Sequence, residues 1–471
     1  MRKTQLAVVG GGPGGYVAAF RAADLGMEVT LIDEEADPGG VCLYRGCIPS
    51  KALLHVAKLI NESREAAAWG LDFAPPSIDL QRLNDWKQQV VGKMTGGLGM
   101  LAKRRKVQQI QGRARFLDPQ TVRVQRTDGV EEELRFSHAI LATGSRPAAV
   151  PGMTVDNIRV LDSTGALELS DIPKSLLVVG GGYIGLELGS VYAALGSRVS
   201  VVEMTAGLIP PADRDLIRPL QERLEEQFEQ IMLETKVVEI EAAETGVEVA
   251  FETVSGERST RLFDKILVAV GRRPNSEDLG LENTAVVPDA KGFVPVDGKR
   301  RTSESSIFAI GDVAGEPMLA HKASHEAAVA VEAIAGHKVA FEPNAIPAVV
   351  FTDPEIAWCG LTESEAQRQG VAVEVARFPW AASGRATTLD RGDGLTKLLI
   401  DPGTERVLGV GIVGAGAGEL IAEGTVAVEM AALARDLTLT IHPHPTLSET
   451  VMEAAEMHFG TSPHLYAPRK S

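Results

Sequence analysis

The chain has 471 residues, of which 47 are Lys or Arg and 63 are Asp or Glu, so its formal net charge at pH 7 is −16. A chain of this length is too long for a single hydrophobic core and favours about three domains of roughly 150 residues each. The acidic balance argues against a nucleic-acid surface or an anionic membrane surface, because both need concentrated basic side chains. Small molecules and other proteins are the expected partners.

No segment of the sequence predicts a membrane span or an export signal. Apolar runs are interrupted by glycine or charge well before the roughly 20 residues that a membrane-spanning helix needs. The first apolar run, residues 5–9, leads into a glycine turn and not into a cleavage site. We therefore expect a cytoplasmic protein without a membrane partner, in a reducing compartment where structural disulfides are rare.

The N-terminal region contains the fingerprint of a dinucleotide-binding unit. A strand-like run, a glycine-rich segment and an amphipathic helix follow one another at residues 6–9, 10–15 and about 16–25. In this G-x-G-x-x-G context, Gly10, Gly12 and Gly15 permit a tight turn and the close approach of a pyrophosphate, whose charge helix N-terminal amides hold. A second strand over 28–32 leads to Asp33, which is placed to bind a ribose diol.

The same pattern recurs in the middle of the chain. A strand-like run at 175–179 is followed by a glycine segment at 180–185, a helix that ends at about residue 195, and a further strand at 198–202. Gly180, Gly182 and Gly185 repeat the three glycines, and Glu203 has the same offset from the first of them as its acidic counterpart. Two copies predict two nucleotide sites. A carboxylate at Glu203 repels a 2′-phosphate, so the second site should prefer NAD to NADP.

Two of the three cysteines, Cys42 and Cys47, are separated by four residues in the segment 39–51 (GGVCLYRGCIPSK). The spacing is neither Cys-x-x-Cys nor a complete zinc set, and no metal site is expected. The pair directly follows the first dinucleotide unit, which indicates a redox disulfide beside a flavin. Because a flavin must lie against the disulfide to exchange electrons with it, we assign FAD to the first site.

With these residues, the chain resembles the pyridine nucleotide-disulfide oxidoreductases, and within them the dihydrolipoamide dehydrogenases, over nearly its full length. Further motifs of the family are present at 142–147 (ATGSRP), 270–275 (VGRRPN), 307–312 (IFAIGD), 319–322 (LAHK) and 442–449 (HPHPTLSE). The resemblance implies an α/β fold with two Rossmann-like dinucleotide-binding domains, for FAD and NAD, and a C-terminal α+β dimerisation domain.

The resemblance also sets the expected domain boundaries. Residues 1–147 and 274–344 would form the two parts of the FAD and central domain, residues 148–273 the NAD domain, and residues 345–471 the interface domain of a homodimer. The stretch 50–105 is expected to form long helices with a flexible break over 92–99.

The resemblance implies a role for individual residues. The expected FAD-binding residues are Gly10, Gly12, Gly15, Asp33, Lys51, Thr143, Gly144, Asp312, Ala320 and His321. The expected NAD-binding residues are Gly180, Gly182, Gly185, Glu187, Glu203 and Gly271. Lys51 and Glu187 are also expected to form an ion pair near the reactive nitrogen of the flavin.

A base is needed because a dithiol attacks a disulfide only as a thiolate, and a free thiol has a pKa of about 8.5. Histidine suits this task at neutral pH. By resemblance, His444 is the catalytic base, Glu449 is its partner, and the base reaches the cysteines of the other subunit. His442 is expected to be structural. A short helix beginning near Pro49 would lower the pKa of the nearby thiol.

The implied activity is oxidation of dihydrolipoamide, carried by a lipoylated protein of a 2-oxoacid dehydrogenase, glycine-cleavage or other lipoyl-dependent system, with NAD⁺ as acceptor. One alternative is a glutathione-reductase-like enzyme, against which Ser50 and Glu203 argue. The other is a non-catalytic FAD subunit that docks on a lipoylated carrier, against which the joint presence of the cysteines and the histidine argues. Val41, Tyr44 and Pro443 depart from the usual family residues.

Overall fold

In the computed structural model, which describes residues 1–150 and 152–466, the first part of the chain forms a predominantly parallel sheet. The elements are β1 (Arg2–Val9), α1 (Pro13–Asp24), β2 (Val29–Asp33), α2 (Gly40–Arg45), α3 (Cys47–Glu65), α4 (Leu80–Arg104), β3 (Gln108–Asp118), β4 (Thr121–Arg126), β5 (Glu131–Leu141) and β6 (Ser145–Pro147). β1 is central and pairs in parallel with β2 and β5, and β2 pairs with β3. β4 runs antiparallel between β3 and β5.

The second part repeats this plan with a five-stranded parallel sheet. The elements are β7 (Val160–Leu161), α5 (Ser163–Glu168), β8 (Ser175–Val179), α6 (Tyr183–Leu195), β9 (Arg198–Val202), α7 (Arg214–Gln227), β10 (Gln230–Met232), β11 (Thr235–Ala242), β12 (Val247–Thr253), β13 (Arg258–Phe263), β14 (Lys265–Val268) and β15 (Arg272–Pro274). The strand order of the parallel sheet is β10-β9-β8-β14-β7. A three-stranded antiparallel sheet, β11-β12-β13, is inserted before β14, and β15 pairs with β6.

The chain then returns to the first sheet, where β16 (Ile307–Ala309) pairs with β5 and α8 (Ala320–Ile334) packs on α1. The C-terminal unit is an antiparallel sheet covered by helices. Its elements are β17 (Ala348–Val350), β18 (Glu355–Gly360), α9 (Glu363–Gln369), β19 (Glu374–Pro379), α10 (Gly384–Thr388), β20 (Leu395–Ile400), β21 (Val407–Gly414), α11 (Ala417–Glu429), α12 (Ala434–Leu439) and α13 (Glu449–Phe459). The strand order of this sheet is β17-β18-β21-β20-β19.

The central parallel strands are buried on both faces, which explains their continuous apolar sequence. All five residues of β8 are buried, as are the last four of β1. The glycine segments follow these two strands directly, so both lie at the carboxyl edge of a parallel sheet, where nucleotides bind in such folds. Within residues 1–150 and 152–466, no helix has the length and apolar character that crossing a membrane requires.

Two local predictions were wrong. Residues 92–99 lie within the continuous helix α4 and do not break it. Tertiary packing outweighs the low helix propensity of glycine, because Thr95 is buried and a Cβ at Gly99 would collide with Asp37. The helix expected near Pro49 begins at Cys47 and has 19 residues, so it is not short.

A buried charge network joins the second nucleotide unit to the C-terminal unit. The Lys397 ammonium lies 2.7 Å from a carboxylate oxygen of each of Asp213, Asp215 and Glu363, and its side chain is only 1 % exposed. Arg377 supplies a second cation, with Nε 2.8 Å from Asp215. These three carboxylates are the group within the described chain whose donor atoms are close enough to hold a metal ion. The lysine already satisfies them.

Replacing Lys397 by Met keeps most of the side-chain volume but leaves the buried carboxylate of Asp213 without its cation. Breaking a buried ion pair in this way costs about 3–5 kcal/mol. We expect the free energy of unfolding in urea, measured at fixed protein concentration, to fall by that amount. The matched control is Arg218→Ala, which removes an exposed pair with Glu222 and should cost less than about 1 kcal/mol. Equal losses in the two variants would contradict the network's role.

Candidate active site

The first glycine loop has the geometry of a phosphate cradle. Gly10 has φ +104°, and a Cβ at this position would collide with the Ala142 carbonyl. At Gly12, by contrast, the nearest heavy atom to an added Cβ is the Cα of Gly40 at 3.9 Å. Glycine is therefore needed at Gly10 for packing, whereas the space at Gly12 is open for a ligand to approach the backbone.

The acidic residues predicted to bind ribose also hold the glycine loops. Asp33 Oδ2 accepts a hydrogen bond from the amide of Gly11 at 2.5 Å, and Glu203 Oε2 accepts one from Gly181 at 2.7 Å. Each second carboxylate oxygen accepts the amide two residues further along the chain. Burial is the largest cause of the raised pKa of Asp33. The two copies are therefore equivalent in structure as well as in spacing.

A cavity of about 680 Å³ opens in front of the first loop, within the usual range for cofactor pockets. Both nucleotide units contribute to its lining. The sequence-predicted residues that line it are Gly10, Gly12, Asp33, Cys42, Cys47, Lys51, Thr143, Gly144, Glu187, Asp312 and Ala320.

Two predicted FAD residues lie outside this lining. Gly15 supports the loop from behind, because a Cβ there would collide with the carbonyl of Gly10. The His321 ring is directed to the C-terminal unit, where Nε2 lies 2.8 Å from the carbonyl oxygen of Pro347. Burial lowers the pKa of His321.

Asp312 is oriented by residues that sequence reasoning did not single out. Its Oδ2 accepts a hydrogen bond from Ser145 Oγ at 2.5 Å, and the same Oγ accepts one from Arg272 Nε at 2.7 Å. Arg272 belongs to the strand that closes the second unit and lies in the motif 270–275. Both residues fall within recognised motifs, but their joint role depends on the pairing of β6 with β15, which no local pattern reveals.

The two cysteines are unbonded thiols that are hydrogen-bonded to each other. This hydrogen bond is the largest cause that lowers the pKa of Cys47, to about 7, and the Lys51 charge lowers it further. The pKa of Cys42 is raised by the same hydrogen bond and by burial. Cys47 is also the first residue of α3, where a helix N-terminus favours a thiolate. Cys47 is therefore the cysteine that ionises first, through the neutral pH range, while Cys42 remains protonated there.

Lys51 and Glu187 form the expected ion pair, with Nζ 2.8 Å from Oε2. Lys51 follows Cys47 by one helical turn, and Glu187 projects from α6 of the second unit with only 4 % of its side chain exposed. The family resemblance places Glu187 among the expected NAD-binding residues. Its carboxylate lies in the first cavity beside Lys51, so it belongs structurally with the FAD group.

The remaining predicted NAD residues form a separate cluster around the second loop. Gly180 has φ +108° and Gly271 has φ +118°, and no atom of the described residues lies within 4 Å of a Cβ built at Gly182. Gly185 packs against the carbonyl of Gly180, as in the first copy. Tyr183, which sequence reasoning missed, begins α6 and lines the first cavity; burial raises the pKa of Tyr183 to about 12.

His444 and Glu449 form a hydrogen-bonded dyad on the C-terminal unit. His444 Nδ1 lies 2.9 Å from Glu449 Oε1, and the amide of Thr446 donates to the other oxygen at 2.8 Å. Burial raises the pKa of Glu449, but the Thr446 amide and His444 outweigh it, and the net pKa is lowered. The imidazole is 72 % exposed, so its Nε2 is free to accept a proton from an incoming group. His442 is different, because its buried ring pairs with Glu423.

The dyad does not line the cavity of its own chain. Among the described residues, the cavity lining extends from Val9 to Ala323 and includes none from the C-terminal unit. Large apolar side chains are exposed on the same unit as the dyad, including Met430 and Ile441, the latter 94 % exposed. An exposed base beside exposed apolar side chains is typical of a surface that another protein covers.

Comparison with known proteins identifies the family. Residues 4–327 match the family described as pyridine nucleotide-disulphide oxidoreductase, and residues 346–455 match the dimerisation domain of that family. The chain belongs to the pyridine nucleotide-disulphide oxidoreductase family. The predicted fold class is confirmed, and FAD and NAD are confirmed as the cofactors.

Several relatives align with this family member from end to end. A dihydrolipoyl dehydrogenase of Vibrio cholerae is 48 % identical over 98 % of this chain and 96 % of its own length. One from Geobacillus stearothermophilus is 44 % identical over 98 % of each chain. Among solved structures, LpdA of Mycobacterium tuberculosis superimposes with a TM-score of 0.89 at 28 % identity, covering 96 % of this chain and 99 % of LpdA. The HOCl-induced flavoprotein disulfide reductase RclA of Escherichia coli gives 0.85, also at 28 %, covering 97 % and 99 %.

The unequal pKa values predict selective alkylation of the reduced protein. Only a thiolate reacts with iodoacetamide, so the rate at Cys47 should rise with pH through a midpoint near 7, while Cys42 remains largely unmodified. Peptide mapping by mass spectrometry identifies the labelled site. Cys42→Ala removes the hydrogen-bond donor and should move the midpoint for Cys47 upward. Preferential labelling of Cys42 in the unmodified protein would contradict the assignment.

Proposed function

We propose that this protein is a FAD-dependent dihydrolipoyl dehydrogenase that oxidises protein-bound dihydrolipoamide to lipoamide, with NAD⁺ as the final acceptor. The observation that carries the proposal is the pair of cysteines with opposed pKa shifts in the cavity before the first glycine loop. The enzyme class predicted from the sequence is confirmed by relatives of that name that are 42–48 % identical over nearly the whole chain.

The cavity suits FAD. The open space at Gly12 fits a pyrophosphate, Asp33 retains a carboxylate at the position for a ribose, and Asp312 is oriented toward the same cavity. Bound there, FAD supplies a two-electron acceptor for the cysteine pair and a hydride donor for NAD⁺. Lys51 and Glu187 are placed to fix the charge beside the flavin ring.

In the oxidised enzyme, Cys42 and Cys47 form a disulfide. A thiolate of dihydrolipoamide attacks Cys42 Sγ, forming a mixed disulfide and releasing Cys47 as the leaving thiolate. The positive charge of Lys51 stabilises Cys47 as the leaving thiolate, and thiols of lower pKa leave faster. The second substrate thiol then displaces Cys42, which releases lipoamide and leaves both enzyme sulfurs reduced.

His444 is the base in this proposal. Its Nε2 accepts the proton of the attacking thiol, while Nδ1 donates to Glu449, which stabilises the imidazolium that forms. Because the dyad lies outside the cavity of its own chain, the base acts on the cysteines of the partner subunit in a homodimer. The family's dimerisation domain and the exposed apolar side chains of the same unit support this arrangement.

The partner is a carrier protein with a lipoyl group, because the proposed substrate is carried on another polypeptide. A 2-oxoacid dehydrogenase complex, the glycine-cleavage system or another lipoyl-dependent system could provide it, and cytoplasmic location stays a prediction. The relatives of Vibrio cholerae, Buchnera aphidicola and Geobacillus stearothermophilus, at 42–48 % identity, are named dihydrolipoyl dehydrogenases, which favours this activity over a glutathione-reductase-like one. A non-catalytic docking role does not explain why the pKa of Cys47 is lowered beside a second cysteine.

Anaerobic titration of the holoenzyme with dihydrolipoamide tests the activity directly. We expect a long-wavelength charge-transfer band between the Cys47 thiolate and the flavin, followed by NADH when NAD⁺ is added. Cys42→Ser cannot form the disulfide and should abolish this turnover while FAD remains bound. Cys359→Ala, which changes a buried cysteine remote in sequence from the pair, is the control and should keep turnover within about threefold of the wild-type value. Normal turnover by Cys42→Ser would refute the mechanism.

Subunit mixing tests the origin of the base. His444→Ala alone should lower turnover by about 10²–10⁴-fold, the usual contribution of a general base. When Cys42→Ser and His444→Ala chains are co-expressed, a base acting between subunits leaves one complete site per heterodimer. The purified heterodimer should then recover about half the activity of the wild-type dimer, since one of its two sites is intact. A heterodimer as inactive as its parents would place the base in the same chain as the cysteines.

A further inference from the structure

Phe351 connects the C-terminal unit to the ion pair beside the redox cysteines. It directly follows β17, and its backbone amide donates a hydrogen bond to Glu187 Oε1 at 2.9 Å. Its ring also faces the Lys51 ammonium, with Nζ 4.6 Å from the ring centroid. One residue therefore contacts both members of the ion pair, each through a different group.

These two contacts restrict the ion pair in a complementary way. One oxygen of the Glu187 carboxylate accepts a hydrogen bond from the Phe351 amide, and the other accepts one from Lys51. The amide therefore fixes the orientation of the oxygen that binds the lysine. The ammonium is attracted to the face of the aromatic ring, and this attraction is strongest where water is partly excluded. Because Lys51 is 33 % exposed on a flexible four-carbon stem, its contact with the ring favours one position of the ammonium among those that the stem allows.

The ring of Phe351 is itself held in place. It lies beside the start of α11, where a Cβ built at Gly418 would be 3.4 Å from the ring atom Cε1. The residues that follow it are also anchored: Thr352 is buried, and Asp353 pairs with Arg391 at 2.6 Å. The C-terminal unit therefore presents this ring from a rigid segment.

We propose that Phe351 is a positioning residue that holds the Lys51–Glu187 pair against Cys47 during the thiol chemistry. The inference rests on the proposed function and deepens it, because it assigns the C-terminal unit a role in the cysteine site of its own chain. Phe351 does not itself line the cavity, so it acts through Lys51 and Glu187, which do.

The pKa of Cys47 depends on the position of the Lys51–Glu187 ion pair, because Lys51 lowers this pKa and Glu187 raises it. Movement of the ammonium toward solvent weakens the favourable contribution and raises the pKa of Cys47. The charged and titratable groups that interact with Cys47 come from α1, α2, α3 and α6, and they are Tyr16, Cys42, Lys51, Tyr183 and Glu187. Of these five groups, Lys51 is the one that the Phe351 ring contacts among the described residues.

The test measures the rate of iodoacetamide alkylation at Cys47 as a function of pH, in the reduced holoenzyme, with peptide mapping. Phe351→Leu keeps an apolar side chain but removes the aromatic face. We expect its midpoint to rise by about half a pH unit, which is about a threefold lower rate below the midpoint. Phe351→Tyr keeps the aromatic face and should restore the wild-type profile. Phe351→Met replaces the leucine variant if that variant loses FAD.

Phe459→Leu is the matched control, because it removes a similar contact between an aromatic ring and Arg435, 4.7 Å apart, on helices that contribute no residue to the cavity lining. It should leave the Cys47 profile unchanged. An unshifted midpoint in Phe351→Leu, or an equal shift in Phe351→Tyr, overturns the inference. Dihydrolipoamide turnover by the wild-type enzyme is measured separately, so failure of the proposed function is distinguishable: alkylation reads the ion pair whether or not the substrate is correct.

Discussion

The stabilisation of a single thiolate, at Cys47, is the constraint on which the arrangement of the site depends. A thiolate inside a cavity is unfavourable unless neighbouring groups compensate it, and here three do so. The Cys42 thiol donates a hydrogen bond, Lys51 supplies a positive charge, and the start of α3 contributes the partial charge of its free amides. Each comes from the segment 40–51, so the redox centre is assembled locally.

The supports of this local centre are nonetheless distant in the chain. Glu187 comes from the second nucleotide unit and Phe351 from the C-terminal unit, and both reach Lys51. The Arg272–Ser145–Asp312 chain makes a second connection between the nucleotide units. The Lys397 network joins the second nucleotide unit to the C-terminal unit. The three units therefore meet through polar contacts as well as through one apolar cluster, which includes Leu53, Val178 and Val350. The geometry of the polar contacts is the more demanding of the two.

The parts that could be predicted from the sequence are those whose chemistry is local. The glycine loops, the strands before them and the C-terminal end of α6 followed from turn geometry and apolar runs, and the paired cysteines followed from spacing. The break expected in α4 was wrong because Thr95 and Gly99 pack against residues near α2, which glycine content alone does not show. Ser145, Tyr183 and Phe351 were missed because their partners lie in other units.

The two glycine loops differ in what covers them. Above the first, the amide of Gly39 donates to the carbonyl of Gly11, and Gly40 lies so close that an added Cβ would be 2.5 Å from the Cα of Gly12. Among the described residues, no atom lies within 4 Å of a Cβ built at Gly182, and no segment approaches that glycine as Gly40 approaches Gly12. The segment that covers the first loop also leads directly into Cys42. The two loops are therefore equivalent in their own geometry and differ in this one short segment, which ties the first nucleotide loop to the redox pair.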